Sequence, residues 1–137
     1  MTDLRATPEI LGILGLSLPG TSFGMNPIHT TGDPPDQADG LNGRAFVPLR
    51  LTMNVIVSAS GLTNDTVSGV WTFRGVVVSD WDGFSSLEVE RIVEDKTDAL
   101  LNVEIVLESR VLKIRVFGNN RDDILWLGFV SMRTSTP

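Results

Sequence analysis

The sequence predicts an all-β protein, an antiparallel β-sandwich of jelly-roll-like type with an extended N-terminal arm. From about residue 45 onward, short runs rich in Val, Ile, Leu, Phe and Trp are separated by Gly, Asn, Asp and Ser, which is strand-and-turn composition. Several of these runs alternate apolar and polar residues with period two, as strands with one wet face do. Before residue 44 this pattern gives way to scattered Pro and Gly, and no helical heptad or internal repeat is visible.

Residues 1–43 carry Pro8, Pro19, Pro27, Pro34 and Pro35 among many glycines, punctuation that works against long helices or strands. They are predicted to form an extended arm and linker. Thr30–Gly40 has the composition of an exposed connection. Ahead of it, Leu11, Ile13, Leu14, Leu16 and Leu18 are too apolar to remain solvated and call for a cover or a partner. The segment Ile10–Leu18 lacks a basic flank and a small-residue cleavage site and is far shorter than the roughly 20 residues of a membrane span, so neither signal peptide nor membrane helix is expected.

Residues 44–137 are predicted to form the sandwich domain, with strands near Phe46–Ser58, Ser68–Ser79, Ser86–Val93, Leu100–Glu108, Arg110–Phe117 and Ile124–Arg133. In the first, Leu49, Leu51, Met53, Val55 and Val57 share one face. The pair Val103, Ile105, Leu107 and Leu112, Ile114, Val116 alternates against charged residues, and the tight Glu108-Ser109-Arg110 connection makes it a hairpin with cross-strand Glu–Lys or Glu–Arg pairs. Ile124–Val130 is apolar at every position, so one face fills the core and the other needs a cover. That cover is either the chain's own arm or another subunit, and the second option places Trp126 and Phe129 at an oligomer interface.

The 137 residues fit one domain of ordinary size. A net charge of -6 without any run of Lys or Arg argues against nucleic acid as partner. With no Cys there is no disulfide, thiolate nucleophile or Cys-ligated zinc, and the fold rests on packing alone.

Candidate chemistry is sparse. His29 is the single histidine, which excludes a His-rich metal site. The serines lack a Gly-x-Ser-x-Gly elbow or Ser-x-x-Lys pair, and no glycine set matches a phosphate loop. Asp80-Trp81-Asp82-Gly83 lacks a third ligand before its Gly and reads as a β-turn rather than a calcium loop; Asp122-Asp123 reads as a hairpin loop, and a calcium ion at either pair stays open. Glu88, Glu90 and Glu94 on one short strand read as its solvated face rather than as a glycosidase pair. Asn64-Asp65-Thr66 fits the glycosylation pattern, which matters only for a chain secreted by a eukaryote. Trp71 and Trp126 lie within strands and read as packing residues, whereas Trp81 sits at a loop tip and is a candidate surface contact for a partner protein or glycan. The expectation is a non-catalytic chain with no catalytic residue, metal or cofactor.

Two segments, Trp71-Thr72-Phe73-Arg74-Gly75-Val76-Val77-Val78 and Ile124–Thr134, resemble the aromatic-x-(Val/Ile/Phe)-(Lys/Arg)-Gly strand and the terminal Ile-x-Trp-Val-Ala-x-Val-x-x-Thr strand of a β-sandwich module from structural proteins of tailed bacteriophages. Thr97–Leu100 and Val111–Gly118 resemble its interior strands, and the resemblance covers residues 45–134. The chain departs from the module at Leu127-Gly128, where Val-Ala is usual, and at Ser135-Thr136-Pro137, where an acidic end is usual.

The resemblance implies a virion structural protein, commonly trimeric, and no active site. Because only Pro- and Gly-rich residues precede the module, the expected role is a capsid decoration, or cement, protein assembled in the host bacterial cytoplasm and located on the capsid surface. In that role a homotrimer stabilises contacts between major capsid protein subunits through its arms. The competing role is a tail-fibre tip or baseplate component that binds a host receptor or glycan, with Trp81 at its distal end.

Overall fold

A computed structural model describes residues 21–33, 36–43 and 48–134. Eight strands account for its regular structure: β1 (Thr21–Thr30), β2 (Gln37–Gly43), β3 (Leu49–Gly61), β4 (Ser68–Asp80), β5 (Gly83–Lys96), β6 (Asn102–Glu108), β7 (Val111–Phe117) and β8 (Ile124–Thr134). They form two sheets, a five-stranded one in the order β1-β8-β3-β4-β5 and a three-stranded one in the order β2-β7-β6. Every pairing is antiparallel, and one apolar core lies between the sheets. The predicted all-β sandwich is therefore the observed class.

The period-two patterns decide which side chains enter that core. In β3, Leu51, Met53, Val55 and Val57 are at most 1% exposed, while Asn54 and Ile56 between them face outward. Trp71 from β4 and Trp126 from β8 meet at the centre with ring centroids 5.5 Å apart. Each indole N–H needs an acceptor once buried: Trp126 Nε1 donates to Thr30 Oγ1 at 2.9 Å and Trp71 Nε1 to Glu94 Oε2 at 3.2 Å. The three-stranded sheet contributes Val103, Leu112, Ile114 and Val116, all at most 1% exposed.

The stretch read as arm and linker differs from expectation, since Thr21–Thr30 and Gln37–Gly43 are strands that pair with β8 and β7. Pro27 and Gly40 hid them from a reading by composition. Pro27 falls where the β1 register shifts between Met25 and Ile28, on an edge strand, which is where a missing N–H is tolerated. Gly40 falls at the shift between Asp39 and Leu41 in β2. A Cβ there would stand 2.4 Å from both Met25 Sδ and Ile28 Cδ1, so any other residue would have to displace the ends of these two β1 side chains. Leu11, Ile13, Leu14, Leu16 and Leu18 lie outside the described residues.

Connections alternate between the two ends of the sandwich. One end gathers the β4–β5 turn, the β6–β7 turn, the start of β1 and the end of β8; the other gathers the β1–β2, β3–β4, β5–β6 and β7–β8 loops. No helix among the described residues is long and apolar enough to cross a membrane.

Candidate functional site

The tip of the β4–β5 hairpin carries the most exposed aromatic residue described. Trp81 is 67% exposed between Asp80 and Asp82, in a two-residue turn closed by the pairing of Asp80 with Gly83. The Asp82 N–H donates to Asp80 Oδ1 at 2.7 Å, an Asx arrangement that stiffens the turn. Gly83 has φ +129°, a conformation that a residue with a Cβ rarely adopts.

A second turn braces the first. Glu108 pairs with Val111, leaving Ser109 and Arg110 as a two-residue loop with φ of +52° and +65°, the sign required by the tight turns that suit twisted hairpins. That geometry aims Arg110 at the neighbouring tip: its guanidinium pairs with the Asp80 carboxylate, and its Nε donates to the Asp82 carbonyl at 3.1 Å. The Arg110 carbonyl in turn accepts the Phe84 N–H at 3.2 Å. The ion pair holds the Asp80 carboxyl below the usual aspartate range and raises Arg110. Trp81 thus projects from a turn whose backbone is fixed on both sides, as a contact anchor should be.

The outward face of the five-stranded sheet holds a shallow depression of about 480 Å³ whose lining combines Met53, Val76 and Val89 with Thr52, Asn54, Gly75 and the charged Arg74, Glu88 and Glu90. Arg74 lies directly opposite Glu90, and Val76 opposite Glu88, so one cation and two carboxylates stand beside an apolar floor. The signal available in sequence was Gly75 in a strand interior, which often marks close backbone approach.

At the opposite end, polar groups close loops on one another. Asn119, 2% exposed, donates to Asp98 Oδ2 at 3.0 Å and to Asp122 Oδ2 at 2.8 Å, while its Oδ1 accepts the N–H groups of Arg121 and Asp122. Asp98 is held below the usual range, chiefly by the Leu100 N–H and then by Asn119. Asp36 accepts the Asn120 N–H at 2.8 Å. His29 Nε2 stands 3.8 Å from Asp123 Oδ2.

Trp126 and Phe129, expected together at an oligomer interface, sit on opposite faces of β8. Trp126 is 0% exposed in the core, whereas Phe129 is 49% exposed outside it. The reason is parity: an odd separation in a strand places side chains on opposite faces. A side chain fully enclosed by its own chain makes no subunit contact, so the expectation is corrected for Trp126. Asp80 and Asp122 are each engaged by an arginine. Among the described residues no group of three or more His, Cys, Asp or Glu side chains is arranged to hold a metal ion.

No protein-family model matches the chain, and no curated protein matches it. Two solved structures match the chain. The tailspike protein of Acinetobacter baumannii phage AM24 is matched over 85% of this chain and 27% of its own, with a TM-score of 0.52 and 8% identity. Tailspike protein gp49 of Acinetobacter baumannii bacteriophage Fri1, described as a capsular polysaccharide depolymerase, is matched over 85% of this chain and 20% of its own, with a TM-score of 0.39 and 12% identity. The chain thus spans about a quarter of the length of the first and a fifth of the second. The first likeness shows the fold; the second is too distant to assign an activity. The expectation of a non-catalytic chain is withdrawn, because the lack of Cys or of a serine elbow does not bear on carbohydrate chemistry run by carboxylates.

Proposed function

We propose that this chain is a structural domain of a bacteriophage tail that meets the host surface, with Trp81 at its contacting end and a receptor glycan as the ligand class. The observation that carries this reading is the fold likeness to the AM24 tailspike over 85% of the chain, which adds to the strand motifs shared with tailed-phage structural modules. It favours the tail over the capsid surface. The cement reading depended on a long free arm, and β1 (10 residues) and β2 (7 residues) take up part of that stretch. The braced Trp81 tip suits a sugar, since an indole face stacks on the apolar face of a pyranose while the Asp82 carboxylate beside it accepts hydrogen bonds from hydroxyls.

Immunogold labelling of intact virions with an antibody to this chain tests the location: gold on the tail is expected, and gold on the head overturns the reading. Trp81→Ala tests the contact. Binding to bacterial surface polysaccharides on a glycan array should fall by about tenfold or more, as for loss of an aromatic anchor, and unchanged binding sinks the assignment of Trp81.

A further inference from the structure

The outward face of the five-stranded sheet is split into an apolar and a polar half. Leu127, Ser58 and Val70 are lateral neighbours in one row, and Phe129, Ile56, Thr72 and Val93 in the next. Of these, Ile56, Val70, Val93, Leu127 and Phe129 are each 42–49% exposed. The following row is polar, with Ser131, Asn54, Arg74 and Glu90. A contiguous apolar patch bounded by polar residues marks a contact surface.

The path of the chain identifies the occupant. β1 is the sheet edge beside β8, and its first residue, Thr21, lies opposite Met132. Only Pro19 and Gly20 separate Thr21 from the apolar run Ile10–Leu18, and Pro-Gly is a chain-reversal signal. Along β8, Phe129 and Leu127 lie three and five residues back from Met132, about 10 and 17 Å at strand spacing. Nine residues reach about 30 Å when extended, enough to pass both rows. A tether this short keeps the effective concentration of the segment at millimolar or above, so the chain's own segment reaches the patch ahead of a second copy. It is also the longest apolar run in the first 43 residues.

We propose that Ile10–Leu18 folds back over the apolar half of this face and covers Ile56, Leu127 and Phe129 of the same chain. The patch is then an intramolecular docking site, and the polar half beside it, with Arg74, Glu88 and Glu90, stays open.

The absence of Cys allows a direct test in the full chain. The double substitutions Leu16→Cys with Phe129→Cys and Leu14→Cys with Leu127→Cys are oxidised at low protein concentration and mapped by mass spectrometry. Leu16→Cys with Val106→Cys, on the outward face of the other sheet, is the control. A disulfide within one chain, formed at least about tenfold faster than in the control, is expected. Disulfides between chains, which make a second copy the occupant, overturn the proposal, as do equal rates in the control or no disulfide in either pair. Independently, Ile56→Asp should raise proteolytic cleavage within residues 10–18 by about fivefold or more while the emission of the buried Trp71 and Trp126 is unchanged; cleavage at the unmodified rate also overturns it.

Discussion

The three-stranded sheet turns Asp39, Lys113, Arg115 and Glu108 outward, and the five-stranded sheet turns out Ile56, Val70, Leu127 and Phe129 over half of its surface. In the first, Arg115 donates to Asp39 Oδ1 at 2.8 Å and to Glu108 Oε2 at 2.9 Å, and Lys113 bridges the same two carboxylates. Such a network is complete with water as its neighbour; individual exposed pairs add little stability, but they fix the β6–β7 and β2–β7 registers. The second face has no comparable network over its apolar rows. Both faces follow the same alternation rule, so the difference lies in what each face is built to meet, and each can be tested by removing what distinguishes it.

The largest effect should come from β8, which belongs to the core and to the outer face at once. Trp126→Ala removes a fully buried indole packed on Trp71 and strands the buried Thr30 hydroxyl. It should cost about 3–5 kcal/mol of unfolding free energy in urea titration. Phe129→Ala, three positions on, removes a side chain that is half exposed and should cost about 1 kcal/mol or less. Equal costs for the two would show that the face bearing Phe129 is as dry as the core, and the contrast between interior and outer face would fail.

Acid should act on the ion network next. Glu108 is held down to about 2 by the Arg115 and Lys113 hydrogen bonds. A carboxyl with a depressed folded-state value stabilises the fold above its ordinary value near 4.5 and loses that contribution as pH falls from there through about 2. Thermal melting should therefore decline across this window, and Glu108→Gln should flatten part of the decline. High salt should weaken the dependence, because the groups are solvent-facing. Ile56→Thr on the opposite sheet should leave the pH slope unchanged; a slope altered as much as by Glu108→Gln would mean that the two faces are coupled.

Legibility in the sequence divides along the same lines. The core faces of β3, β6 and β7 were readable because burial on one side imposes a strict period of two on Leu51 to Val57 and on Val103 to Val116. The hairpin pairs from Glu108 to Lys113 and Arg115 were readable for the same reason. β1 and β2 were not, since Pro27 and Gly40 serve register shifts that depend on partners about a hundred and about seventy residues away. The odd spacing of Trp126 and Phe129 was on the page, yet an all-apolar run conceals which side is inside. Trp81 was legible as a tip residue, but its brace by Arg110 joins segments 30 positions apart and has no local signal. The same is true of the depression lined by Arg74, Glu88 and Glu90, which exists only once β4 and β5 are paired.

The smallest effect concerns the turn that links the two sheets at the Trp81 end. Ser109 and Arg110 both hold positive φ, a conformation that costs side chains other than Gly, Asn and Asp roughly 1 kcal/mol. Ser109→Asn should stabilise the chain by about 0.5 kcal/mol, because Asn adopts this region readily and leaves the Arg110 contacts in place. Arg110→Gly relieves the same strain but deletes the guanidinium that holds Asp80 and the Asp82 carbonyl. Time-resolved anisotropy of Trp81, read in a variant with Trp71→Phe and Trp126→Phe, separates the two effects. Faster local motion in Arg110→Gly and unchanged motion in Ser109→Asn are expected. Equal mobility in both variants would mean that the Asx turn alone fixes the tip and that the three-stranded sheet does not position Trp81.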